Sequence, residues 1–197
     1  MAIDALYRSC GWTVLDLTED LRSQTDIGKL YGLTFDQWTD YGAYIGYRSL
    51  MTYIRQDFPR INMMPLSDYT RVTQITPGGE LSTRLGFSPS AVSETQVRLH
   101  LNQSDIRYSV KGNAEGDFSG AFTTMVADNS LPIAIVLRDS AGTAMLESMA
   151  QHFRVMIVLP EGETEISAQT LMLFEPDYVI RLAAETSPGL YDMKGAE

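Results

Sequence analysis

A serine hydroxyl at the point where a buried strand gives way to a helix has a chemical use, and Ser140 occupies such a point. The apolar run Ile133-Ala134-Ile135-Val136-Leu137 leads into Arg138-Asp139-Ser140-Ala141-Gly142. A hydroxyl there is presented at the sheet edge, and the backbone N–H groups that open the next helix can stabilise a developing oxyanion. Asp139 can cap and hold the turn. Two readings stay open from this motif: Ser140 as a nucleophile, or Ser140 as an N-cap and nothing more. A nucleophilic serine needs a base, and the chain offers two imidazoles, His100 and His152. His152 lies about three turns along the expected helix, roughly 18 Å away at ~1.5 Å per residue, out of reach of the hydroxyl. His100 lies off the apolar face of an alternating segment and reads as a solvated surface residue.

These residues sit in a chain of alternating elements. Val155-Met156-Ile157-Val158-Leu159 is a second continuous apolar strand, Tyr178-Val179-Ile180 starts a third, and helices are expected over 141–153 and 165–174. Apolar strands that alternate with helices indicate a parallel sheet covered on both faces. Sites in such sheets form in loops beyond the carboxyl ends of strands. The other loop that stands out is Thr34-Phe35-Asp36-Gln37-Trp38-Thr39-Asp40. It opens a helix expected over 41–56, where Ala43, Tyr47, Leu50, Met51 and Ile54 recur at helical spacing. Thr39 is its expected N-cap, and Phe58-Pro59 its end. Residues 3–10 read as the end of a helix and 12–17 as a buried strand. Residues 69–129 read as an antiparallel insertion: alternation over 69–75, a Pro77-Gly78-Gly79 break, then strands at 95–101, 106–110 and 122–126 joined by turn-rich segments at 102–105 and 111–116.

Composition narrows the function classes. A chain of 197 residues buries roughly 70% of its extended-chain surface and needs no disulfide or metal staple. Fifteen Lys+Arg against 25 Asp+Glu leave a net charge of −10, which argues against a nucleic-acid partner. Cys10 alone excludes an internal disulfide framework. No apolar run is long enough to cross a bilayer, and the first residues do not form a signal peptide. Asp16, Glu19, Asp36 and Asp40 fall near one loop region without the spacing of a cation loop, so they read as a solvated acidic face; no metal or cofactor is expected.

Residues 131–145 resemble the nucleophile block of the SGNH hydrolase-like domains in the alginate O-acetylation family of AlgJ and AlgX. The family's strand ends in Gly-Asp-Ser and a short aromatic–Gly segment; Asp139, Ser140 and Gly142 match it, while Arg138 and Ala141 do not. Ala150-Gln151-His152-Phe153, Glu175-Pro176-Asp177-Tyr178-Val179-Ile180 and Gly79-Glu80-Leu81 with Leu85-Gly86 are similar too. The fullest match is Trp38-Thr39-Asp40-Tyr41-Gly42-Ala43-Tyr44 with Tyr47-Arg48, which continues the family's Asp-x-His-Trp motif. The resemblance covers about 12–185. The family's earlier strands would precede Met1, so the chain reads as a member without its beginning. The resemblance implies a three-layer α/β fold, SGNH-hydrolase-like and flavodoxin-like, as a single domain over 1–197 with the antiparallel insertion. It also implies an extracytoplasmic setting, and acyl transfer or ester hydrolysis on an exopolysaccharide with Ser140 as nucleophile. An acidic polysaccharide or an acetyl-donor protein is the implied partner.

The resemblance breaks at the base. The Asp-x-His positions are Phe35-Asp36-Gln37. Phe35 cannot orient an imidazole, and Gln37 cannot accept a proton near neutral pH. Asp36 is the possible substitute, one residue out of place. Arg138 stands where the family has a glycine, where a guanidinium can bind a uronate carboxylate or fill the pocket. Tyr31, Trp38, Tyr41 and Tyr44 can give platforms for sugar rings or pack in the core. The expectation is a degenerate member with Ser140 and Asp139 in the catalytic loop and Arg138, Trp38, Gly142 and Tyr44 around the substrate. The competing expectation is a carbohydrate-binding or assembly module that uses the same cleft.

Overall fold

The computed structural model describes residues 2–103, 107–109, 120–160, 166 and 168–184. Its helices are α1 (Ala2–Ser9), α2 (Thr18–Ser23), α3 (Asp40–Ile54), α4 (Glu80–Arg84), α5 (Leu146–Ala150) and α6 (Ala168–Phe174). Its strands are β1 (Tyr69–Pro77), β2 (Ser93–Leu101), β3 (Arg107–Ser109), β4 (Phe122–Met125), β5 (Ile133–Arg138), β6 (Val155–Pro160) and β7 (Tyr178–Leu182).

The three apolar strands form the parallel part of the central sheet, whose order is β3-β4-β6-β5-β7. β5 lies between its parallel neighbours, with Ile133 opposite Val155 and Ala134 opposite Tyr178. Ala134, Ile135 and Val136 are fully buried, as continuous apolar runs require of a sheet covered on both faces. β4 adds to β6 antiparallel, from Phe122 opposite Val158 to Met125 opposite Val155. β1 and β2 form a separate antiparallel pair, from Tyr69 opposite Leu101 to Pro77 opposite Ser93. The expected insertion therefore divides: its first half stands apart, and its second half extends the central sheet. Ile106, Val110, 104–105, 111–116 and Glu165, parts of expected elements, lie outside the described residues.

α3 runs as its spacing requires. Thr39 caps it, its hydroxyl accepting the Gly42 N–H at 3.4 Å and donating to the Lys29 carbonyl. Ala43, Tyr47, Met51 and Ile54 are fully buried against Leu146, Met149, Phe153 and Met156 in one cluster. Full burial of a Met or Ile side chain is worth ~1.5–3 kcal/mol each.

Two expectations fail. Residues 12–17 are not a strand: Trp12 N–H turns back to the Tyr7 carbonyl at 3.1 Å, Arg8 donates to the Val14 carbonyl, and Leu17 leads straight into α2. No ladder partner is available to this segment among the described residues, and an apolar run without a ladder does not become a strand. The helix expected over 141–153 is shorter. Ala141–Met145 winds as a 3-10 turn, and α5 covers only Leu146–Ala150. It ends there because Arg154 N–H bonds the Pro132 carbonyl at 2.8 Å, drawing the chain into β6.

Candidate active site

Two loops meet at the carboxyl end of β5. The first, ahead of α3, is held on every side. Tyr31 and Trp38 pair across an antiparallel bridge. The Glu94 carboxylate, only 7% exposed, accepts Leu33 N–H at 2.6 Å and Thr34 N–H at 3.0 Å. Burial alone would raise the Glu94 carboxyl; donors from Gln96, Leu33 and Thr34 outweigh it and hold the group below its ordinary value. Thr34 ties α4 to the loop, its hydroxyl accepting Gly79 N–H at 3.1 Å and its carbonyl accepting Leu81 N–H at 3.0 Å. Phe35 packs so closely on Gly79 that a Cβ there would lie 2.5 Å from the Phe35 ring.

The second loop follows β5 and is held by Asp139. One carboxylate oxygen accepts Ala184 N–H at 2.7 Å, the other accepts Gly142 N–H at 3.2 Å, and Asp139 N–H donates to the Leu182 carbonyl at 3.0 Å. Asp139 thus caps the 3-10 turn. Ser140 stands at the N-cap position of that turn, its carbonyl accepting Thr143 N–H at 3.3 Å, but its side chain makes no cap bond. Its exposed hydroxyl is left for another partner.

That partner is Gln37, whose Nε2 donates to Ser140 Oγ at 2.8 Å. Next to it, Trp38 Nε1 donates to the Ala141 carbonyl at 2.8 Å, a second strap between the loops. Neither end of a carboxamide takes up a proton near neutral pH, so the contact has the geometry of a nucleophile–base pair without the chemistry of one.

The other candidates stand elsewhere. Asp36 turns away from Ser140 to pair with Arg84 at 3.3 Å, because Gln37 and not Asp36 faces the β5 loop. His152 is buried, and its Nε2 lies 2.6 Å from the Tyr47 hydroxyl, which itself accepts Met64 N–H. Burial lowers the imidazole to about 4. His100 is exposed on β2.

The residues expected around the substrate differ in burial. Tyr44 is 6% exposed and lies edge-on to Tyr69, its hydroxyl donating to the Met64 carbonyl; it is on the inner face of α3 and is core. Tyr41 is buried as well. Arg138 is 6% exposed and donates to the Gly120 carbonyl at 3.4 Å, so its burial supports the filling role. Gly142 is buried, and a Cβ there would lie 2.8 Å from Leu182 Cβ; its N–H is engaged by Asp139. Trp38 is half-buried with its ring against Gly46. Tyr31 is 53% exposed. Asp16 accepts the Thr18 N–H, Glu19 pairs with Arg22, and Asp40 pairs with Arg98 while accepting Leu99 N–H, so these acids serve separate contacts. Sequence reasoning missed Glu94, which stands just before an alternating run and carries no local mark of its role.

No family model matches this sequence, and no curated protein matches it. Solved structures do. A DHHW family protein from Eubacterium siraeum superposes with a TM-score of 0.66 at 14% identity, covering 84% of this chain and 62% of that one. PatB1 of Bacillus cereus, in a structure with a sulfonyl adduct, gives a TM-score of 0.64 at 18% identity over 85% and 65%. The O-acetyltransferase domain of Pseudomonas putida AlgJ gives 0.52 at 15% identity over 92% and 63%. The chain spans less than two thirds of the length of each of these. Likeness at such identity is a likeness of fold. The chain is a mixed α/β protein with a largely parallel central sheet and a separate antiparallel pair, consistent with the SGNH-like fold of the AlgJ domain.

Proposed function

We propose that this chain is a degenerate member of the polysaccharide O-acetyltransferase and acetylesterase group, with the serine kept and the acid and base replaced. The observation that carries the reading is the 2.8 Å contact from Gln37 Nε2 to Ser140 Oγ. A glutamine occupies the place of a base, and a phenylalanine the place of the acid that would orient it. The resemblance to the Asp-x-His-Trp motif sets Phe35-Asp36-Gln37-Trp38 at these positions, with the tryptophan in common. Loss of the base from a serine triad costs about 10⁶ in rate.

The test is turnover of p-nitrophenyl acetate and of an acetylated uronate polysaccharide by the wild type and by Ser140→Ala. The expected result is equal, near-background rates for both. Robust wild-type turnover that disappears in Ser140→Ala overturns the reading.

A second reading is a binding module for an acidic glycan. It is favoured by Tyr31, exposed beside the loop and bridged to Trp38. Calorimetry with oligouronates, repeated on Tyr31→Ala, checks it: binding that the alanine weakens supports it, and absence of binding rejects it.

A further inference from the structure

A cavity opens at the other end of the sheet from Ser140, where β5 and β6 begin. Its volume is about 620 Å³, inside the range of roughly 300–1,000 Å³ typical of ligand sites. The sheet order sets its floor: Met125, Val155 and Ile133 stand side by side on β4, β6 and β5. Leu173 and Phe174 at the end of α6 form a wall, and Leu173 is 73% exposed. Glu175 has φ 42 and returns its N–H to the Leu171 carbonyl, a left-handed helix end that turns the chain back. Asp177 then locks the return, its N–H donating to the Ile133 carbonyl and its carboxylate accepting Ile133 N–H, both near the cavity mouth.

Arg154 lines this cavity. Its backbone is fixed on both sides, N–H to the Pro132 carbonyl and carbonyl from Val126 N–H. Its Nε is buried without a hydrogen-bond partner, and among the described residues its guanidinium makes no ion pair. Glu175 and Asp177 both line the cavity as well; the Asp177 carboxylate accepts Ile133 N–H, and among the described residues neither acid is ion-paired with Arg154. Arg154 is partly exposed and only its Nε is buried; a buried N–H without an acceptor is unfavourable, and a carboxylate supplies one.

We propose that this cavity binds a monocarboxylate with an apolar tail, of the medium-chain fatty-acid type. The carboxylate lies on Arg154 and the tail on Val155, Leu173 and Phe174. Glu175 and Asp177, which line the same cavity, disfavour a second negative charge on the ligand. The site is separate from the Ser140 loop.

The experiment is calorimetric titration with octanoate, with octanol and octylammonium as controls. One saturable octanoate site is expected. Arg154→Gln and Leu173→Asp are each expected to weaken it about tenfold or more, Arg154→Lys less than Arg154→Gln, and Ser140→Ala not at all. Leu173 is exposed, so Leu173→Asp keeps the fold. Absence of saturable binding, equal affinity in Arg154→Gln, octanol binding as tightly as octanoate, or loss in Ser140→Ala would each overturn the proposal.

Discussion

Gln37 and Ser140, 103 positions apart in the chain, meet through a single hydrogen bond of 2.8 Å. Each is delivered by a loop that other residues hold rigid: Glu94 and Thr34 for one, Asp139 for the other. The apposition is therefore expected to persist when another side chain stands at the glutamine's position.

That persistence gives the first prediction. Phe35→Asp with Gln37→His puts an oriented imidazole where the carboxamide now lies. Acetyl-ester hydrolysis, normalised to folded protein, should rise about 10²-fold or more, the usual worth of general-base catalysis. The gain should vanish when Ser140→Ala is added. No gain in a folded double variant would show that the loops no longer hold a productive geometry.

Phe35 and Gly79 should be energetically coupled. A methyl on Gly79 would lie 2.5 Å from the Phe35 ring, so Gly79→Ala alone should cost about 1–3 kcal/mol by overpacking. In a Phe35→Ala background the same change should cost less, with an interaction energy of about 1 kcal/mol or more in the double-mutant cycle. Denaturant unfolding of the four proteins measures it; additive costs would contradict the packing described.

His152 should make stability fall with acid. Burial holds its folded-state value at about 4, against 6.5 ordinarily. Below 6.5 the unfolded chain takes up a proton that the folded chain refuses, so stability is full above 6.5 and is lost as pH falls toward 4. The loss attributable to this residue is about 3 kcal/mol at most. His152→Gln, which can still accept from Tyr47, should flatten unfolding free energy over that window. An unchanged slope would assign the dependence to other groups.

Glu94 titrates on the opposite side of that window. Its carboxyl is held below the ordinary 4.5, so its contribution is present above 4.5 and is lost as pH falls through the lower folded value. Glu94→Gln removes the charge that accepts Leu33 and Thr34 N–H and should cost about 1–3 kcal/mol. Amide exchange at Leu33 and Thr34 should accelerate more than at Ile135 in the sheet. Uniform acceleration would mean that the carboxylate supports the whole fold and not the loop.

Much of the architecture was legible in the residue order. Three uninterrupted apolar runs marked the parallel strands because a strand covered on both faces needs no polar side, and α3 was marked by its spacing and by Thr39. The segment 12–17 misled because an apolar run states only that side chains avoid water; a strand also needs a neighbour's N–H and C=O groups. The α5 region misled because its end is set by a bond from Arg154 to Pro132, across the sheet.

The candidate site divides in the same way. Residue types alone showed that positions 35 and 37 carry no acid and no imidazole, because side-chain chemistry is local and needs no fold. Which side chain faces Ser140 is not local. Asp36 and Gln37 are adjacent, and only the packed loop turns one toward Arg84 and the other toward the serine. Tyr44 and Arg138 could be read as ligands or as filling from the sequence, and both are buried in the fold, which supports filling. Asp139, not the Ser140 side chain, caps the turn because its carboxylate spans Gly142 and Ala184, two amides that only the β5–β7 pairing brings together. The sequence by itself determined which side-chain types stand at these positions; tertiary structure decided which groups meet, because contacts between distant residues depend on how the sheet and its loops pack.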